Sequence, residues 1–251
     1  MSDDIKEAVV LIKQIPDLEL IKVNQETGEP ITDGVPFKFE NLSKNSVEAA
    51  VRIKEKNGGK ITAVLFGNEK GTQVMKEAYA MGVDEGVLIT GYSENNPVLT
   101  AKVLAQKIKQ LHYDLVILGN QSADSMSGMV AGLVATELNL PLLSNAISIE
   151  VAEKIVKVST ATEKDVIKSE ATMPAVISVT QETNEPRFPP VLQIIKAGKK
   201  SISTEQSTVK IENTSRIISK KAPKSERKRL IFDDVDKGAQ EVAKVLKEAM
   251  K

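Results

Sequence analysis

The sequence predicts an α/β protein with a doubly wound, mostly parallel sheet, an added antiparallel hairpin and a C-terminal arm. Three observations predict it. Apolar runs alternate with helical spacing through residues 8–141, the period falls to two after Ile147, and the composition turns polar after Lys199. Strands alternating with helices of about 10 to 15 residues imply right-handed βαβ units and a parallel sheet. Loops at the carboxyl ends of such strands form the ligand crevice.

Residues 8–12 (AVVLI) read as a strand covered on both faces. Residues 23–43 are punctuated by Gly28, Pro30, Gly34 and Pro36, as in a short hairpin. Residues 46–59 read as an amphipathic helix stopped by glycine. The unit repeats with a strand at 61–66, a helix at 72–82 and a strand at 87–90. A helix led by Pro97 occupies 96–111, and a fourth strand occupies 114–118. ISIEVAEKIVKVST, from Ile147, predicts antiparallel strands turning near 152–154, and MPAVISVT at 173–180 reads as one more buried strand. Residues 1–199 are expected to form the main domain and 200–251 the arm. Residues 200–230 carry too few large apolar side chains to fold alone, whereas Val235, Val242, Val245 and Leu246 restore helical spacing at the end. The segment reads as an arm gripping a partner subunit, or as a surface extension with a self-docked helix.

The most informative segment is LVILGNQSADSMSGMVAGLVATELNLP, residues 115–141. Leu115 to Leu118 suit a buried parallel strand, Gly119 frees the backbone, and Ser125 or Ser127 is expected to cap the helix that follows. Free amides at that helix start, with the positive end of its dipole, suit a phosphate. The turn reads as a nucleotide site, or as an ordinary strand-to-helix turn without a ligand. The topology puts Ile12 and Lys13, Phe66 and Gly67, and residues 119–130 on one edge of the sheet.

Composition removes several classes. Lys plus Arg and Asp plus Glu number 34 each, so no global field favours nucleic acid or an anionic membrane. Without cysteine there is no disulfide, thiolate nucleophile, cysteine-ligated zinc or Cys-held iron–sulfur cluster. His112, the one histidine, cannot build a multi-histidine metal site and is expected at the surface. No apolar run reaches about 20 residues and the start lacks a secretory pattern, so a soluble intracellular protein without membrane insertion is expected.

Four segments in order, SVEAAVRIKEK, KEAYAMGVDEGVLI, LVILGNQSADSMSGMVAG and NEPRFPPVLQIIKAGKK, carry a resemblance to the beta subunit of electron transfer flavoprotein. The resemblance implies a Rossmann-like, adenine-nucleotide-binding sheet in a cytoplasmic heterodimer. The partner alpha subunit then holds a redox-active FAD, while this chain binds AMP and docks flavin dehydrogenases such as acyl-CoA dehydrogenase. Matched by position, the family's nucleotide contacts fall on Leu11, residues 40–43, Phe66, and the run Gly119, Asn120, Gln121, Asp124, Ser125, Met126, Ser127, Gly128, Met129 and Val130. Gln121 and Asp124 match side-chain contacts, and residues 127–130 match backbone donors to phosphate. Glu40-Asn41-Leu42-Ser43 lacks the family's usual Asn-Pro pair, and Asn41 is the candidate there.

Members that bifurcate electrons carry FAD in this subunit and show Asp-Gly-Asp-Thr where this chain has Asp124-Ser125-Met126-Ser127, so the resemblance leans to AMP over FAD. Met126 could equally be a packing residue. The proline-rich turn of Asn184, Glu185, Pro186 and Arg187 matches the family's recognition loop, with Val191 as the aliphatic anchor and Leu192 beside it. Burial of both in a helix is the alternative, and Arg187 is either a loop-bracing ion-pair partner or a solvated side chain. An acidic residue that often steadies the family's complexes is Ala161 here, so its role is not carried over to the nearby Glu163. Two other functions stand beside the AMP-binding subunit: a bifurcating subunit binding FAD and accepting electrons from NADH, and a stand-alone adenine-nucleotide-binding protein.

Overall fold

The computed structural model describes residues 7–92, 96–211, 217–223 and 229–250. It divides into two units, Met1–Ile21 with Thr32–Arg216, and Lys22–Ile31 with Ile217–Lys251.

In chain order the larger unit opens with β1 (Glu7–Ile12) and β2 (Gln14–Pro16), and the smaller unit contributes β3 (Lys22–Val23) and β4 (Pro30–Ile31). Next come β5 (Phe37–Phe39), α1 (Asn41–Asn57), β6 (Lys60–Phe66), α2 (Gly71–Met81), β7 (Glu85–Thr90), α3 (Pro97–Ile108), β8 (Leu115–Gly119) and α4 (Val130–Leu138). The larger unit ends with β9 (Leu142–Ala152), β10 (Ile155–Ala161), β11 (Val166–Thr172), β12 (Ala175–Val179), α5 (Val191–Gly198) and β13 (Ser203–Gln206), and the smaller with α6 (Val235–Ala249).

Nine strands form one sheet in the order β11-β10-β9-β12-β8-β1-β6-β7-β13. Six of its ladders are parallel, and only the two made by β10 are antiparallel. Side-chain alternation along β1 and β8 splits the core in two. Val10, Ile12, Leu115 and Ile117 pack with Val47, Val51, Met75 and Ala78 of α1 and α2. Val9, Leu11, Val116 and Leu118 pack with Leu104, Ile108, Ala131 and Val134 of α3 and α4. Helices therefore cover both faces, which is why these strands are apolar throughout rather than alternating.

Three elements depart from the expectation. The first helix starts at Asn41 rather than Ser46, because the Glu40 carboxylate accepts from the Ser43 amide and sets the cap five residues earlier. β2 pairs with β5 beside the main sheet, an antiparallel ladder that bridges the turn-rich segment. Beyond residue 199 the chain still contributes to the sheet, since β13 pairs in parallel with β7 from Ser203↔Val87 to Gln206↔Thr90.

In the smaller unit β3 and β4 form a two-stranded ladder closed by Gly28 at φ +75°, and Ala222 donates its amide to the Gly28 carbonyl. Asp234 caps α6 through the Lys237 amide, and Val235, Val242, Val245 and Leu246 lie exposed along it. Among the described residues no helix is long and apolar enough to cross a membrane, and no group of His, Asp or Glu is arranged to hold a metal.

Candidate functional site

The strand order reverses at β1, which has β6 on one side and β8 on the other. A cleft opens outside the carboxyl ends of these strands, the position where open α/β sheets take ligands. Part of its lining is apolar: Leu11, Phe66, Tyr92, Leu104 and Leu118. Phe66 and Tyr92 meet edge to face with ring centroids 5.3 Å apart. Burial, with a smaller contribution from the charge of Asp124, pushes the Tyr92 phenol up to about 12, so it stays a neutral donor at physiological pH.

The rest of its lining is largely polar. Lys13 Nζ donates to both carboxylate oxygens of Asp124 at 2.8 Å and to Ser122 Oγ at 3.1 Å, and Ser122 Oγ donates to Asp124 Oδ1 at 2.7 Å. The backbone tightens here: the amides of Ser125 and Met126 both reach the Ser122 carbonyl, and Met126 and Gly128 take positive φ of 49° and 62°. This turn postpones α4 until Val130. Met129 occupies its N-cap without a side-chain hydrogen bond, so the expected cap from Ser125 or Ser127 is not made. The Ser125 hydroxyl bonds that of Ser122 instead. Among the described residues, no acceptor takes the amides of Gly128, Met129 or Val130, all three of which line the cleft.

The cleft gathers Leu11, Phe66, Gly119, Asn120, Gln121, Ser125, Ser127, Gly128, Met129 and Val130 from the expected set. Asp124 does not line it, being turned to Lys13. Met126 is largely exposed rather than packed. Asn41 lines a separate groove shared with Asn184 and Arg187, because the first turn of α1 carries it away from the cleft. Glu40 and Ser43, from the matched stretch 40–43, do line the cleft, as does Lys13, which the topology had put on this edge of the sheet. Sequence reasoning passed over Tyr92 and gave neither Lys13 nor Glu40 a role of its own. The strand ends were the available signal, since Lys13 directly follows β1 and Tyr92 lies two residues beyond β7.

The proline-rich loop and α5 form a second feature. Asn45 of α1 donates Nδ2 to the Asn184 carbonyl at 2.7 Å, and Asn184 Nδ2 returns to the Asn45 carbonyl at 3.0 Å. Arg187 reaches Glu48 through Nε at 2.7 Å and Glu55 through Nη1 at 2.6 Å. Glu48, only 2% exposed, also accepts from Arg52. Burial pushes the Glu48 carboxyl up, but the hydrogen bonds from Arg187 and Arg52 outweigh it and hold the group below the ordinary glutamate range. Arg187 is therefore an ion-pair partner rather than a solvated side chain. On this braced base Phe188 is 94%, Val191 71% and Leu192 72% exposed, so the two aliphatic residues are not helix core.

A family model described as "Electron transfer flavoprotein domain" matches residues 30–210. A protein of Bacillus subtilis (strain 168) named electron transfer flavoprotein subunit beta is 30% identical over 255 residues, covering 96% of this chain and 98% of its own length. Proteins of the same name from Thermoanaerobacterium thermosaccharolyticum and Megasphaera elsdenii are 32% and 31% identical, covering 76% and 78% of this chain and 75% and 76% of their own lengths.

Proposed function

The chain belongs to the electron transfer flavoprotein family, among its beta subunits, and from that premise we propose that it is the AMP-binding, dehydrogenase-docking half of a cytoplasmic heterodimer. The alpha subunit holds FAD, which supplies the electron chemistry. The beta chain binds, orients and docks.

One observation carries the nucleotide assignment. At the switch point of the sheet, three consecutive amides without an acceptor among the described residues belong to a cleft that is also lined by aromatic and aliphatic side chains. Gly128, Met129 and Val130 offer N–H donors at the start of α4, as a phosphate requires. Leu11, Phe66 and Tyr92 suit a base. Asn120, Gln121, Ser125 and Ser127 complete the wall, with Asp124 acting through Lys13. Ser125 and Met126 stand where members that bind FAD in this subunit carry glycine and a second carboxylate, which favours AMP. Acid extraction and chromatography of the purified heterodimer tests the assignment: AMP plus one FAD supports it, and two FAD without AMP favours the bifurcating alternative.

Docking is assigned to Asn184, Glu185, Pro186 and Arg187 as the braced loop and to Val191 and Leu192 as the aliphatic anchor for flavin dehydrogenases such as acyl-CoA dehydrogenase. Rigid placement of exposed apolar side chains lowers the entropy lost on binding. Of the expected arm, residues 200–251, Ser203–Gln206 belong to the chain's own sheet, and the part that ends in α6 is assigned to the alpha subunit. The apolar stripe of α6, which has no buried residue, supports that reading.

A further inference from the structure

Glu40 is the one acidic residue among those that line the cleft. It bears a carboxyl group, is 98% removed from solvent, and lines the cavity. One carboxylate oxygen, Oε2, accepts the Ser43 amide at 2.7 Å. Among the described residues neither oxygen has any other hydrogen-bond partner, and no lysine or arginine pairs with the group. A cap needs only one oxygen, and a cap serving the helix alone has no reason to face a cavity. The second oxygen, Oε1, is open to the cleft rather than sealed in the core, since among the described residues only Gln14 Oε1 is a buried side-chain atom without a partner, and an acceptor left at a cleft wall is free to take a hydrogen bond from a ligand. The backbone fixes the group in place: the Glu40 amide donates to the Lys13 carbonyl at 3.1 Å, and the Lys13 amide donates to Ser43 Oγ at 3.1 Å, tying the end of β1 to the start of α1.

The missing donor must be neutral or cationic, and a phosphate has none to give. A nucleotide presents donors at its base edge and at the vicinal hydroxyls of its sugar. The wall nearest the base is apolar and aromatic, which leaves the sugar. We propose that Glu40 accepts the ribose hydroxyls of the bound nucleotide and thereby makes this cleft selective for ribonucleotides over deoxyribonucleotides. The inference rests on the nucleotide assignment above and holds for any ligand with an adenosine monophosphate half.

The test is calorimetric titration of the nucleotide-free heterodimer with AMP, 2′-deoxyadenosine monophosphate and 3′-deoxyadenosine monophosphate. The wild-type complex is expected to bind at least one deoxy analogue about tenfold or more weakly than AMP, the scale of one charge-assisted hydrogen bond. Glu40→Gln, which keeps an acceptor for the Ser43 amide, is expected to close most of that gap. Equal wild-type affinity for all three nucleotides overturns the proposal without touching the nucleotide assignment, and needs no variant to be seen. Failure of the wild type to bind any of them overturns the assignment and this inference together.

Discussion

The cleft and the 184–198 segment share α1 but keep opposite accounts of polar and apolar groups. At the N-terminal end of the helix the cleft holds back polar capacity: three amides without acceptors and a buried carboxylate with one idle oxygen. In the next turns the polar groups are spent on the loop, Asn45 on Asn184, and Glu48 and Glu55 on Arg187, while Val191, Leu192, Ile194 and Ile195 of α5 are left in water. A small polar ligand is recognised by what the protein leaves unpaired. A protein partner is recognised by what is left unburied, provided the base beneath it is rigid. The difference teaches that α1 is a strut between two kinds of recognition, and each kind fails in its own way when the strut is altered.

The largest effect is expected at the brace. Glu48→Ala leaves Arg187 held by Glu55 alone, takes away the ion pair of Arg52 and empties a buried site, and losing hydrogen bonds between charged groups there costs about 3 kcal/mol. For a domain of this size that is roughly a 9 °C fall in Tm, readable by calorimetry of the heterodimer. Faster proteolysis is expected within residues 184–190 than in the cleft. Uniform loosening of both regions would mean that α1 melts as a whole and that the comparison is false.

The same pair makes the loop acid-sensitive. The folded Glu48 carboxyl lies below the ordinary value of 4.5, so its contribution is complete above that pH and is lost as pH falls through the lowered folded value. The Tm gap between wild type and Glu48→Gln should therefore be constant at neutral pH and narrow as pH drops below 4.5. A gap independent of pH would show that shape rather than charge holds the loop.

Val191→Glu probes the opposite quality. Because Val191 is 71% exposed, its replacement should leave Tm and heterodimer assembly unchanged. Electron transfer from the dehydrogenase should slow on the order of tenfold, as when a buried interface anchor is lost. A drop in Tm with unchanged transfer would place Val191 in the subunit's own structure.

Much of this was legible in the sequence wherever burial on both faces dictates composition. AVVLI and LVIL announced β1 and β8, glycine marked the ends of α1 and α2, and the shift in period announced β9 and β10. What escaped depends on long-range pairing or on an unusual cap. Glutamate is not a favoured N-cap, so the start of α1 at Asn41 was hidden. Within the matched stretch 40–43 the absent Asn-Pro pair pointed to Asn41, which lines the other groove, whereas its neighbour Glu40 lines the cleft. The Lys13–Asp124 pair joins residues 111 positions apart, and β13 offers only STEQ, a strand whose apolar content is too low to announce it.

The smallest expected effect tests the cleft itself. A serine before a helix ordinarily caps it, and losing such a cap costs about 1 kcal/mol. Here the turn closed on the Ser122 carbonyl carries the chain past Ser127 before α4 begins, so the Ser127 hydroxyl has no amide to serve. Ser127→Ala should therefore change stability by less than about 0.5 kcal/mol in thermal unfolding of the nucleotide-free complex. If a cap-sized loss appeared instead, a side chain would already be satisfying the amides of α4. The contrast between a cleft that reserves its donors and a loop that spends them would then collapse at its most important point.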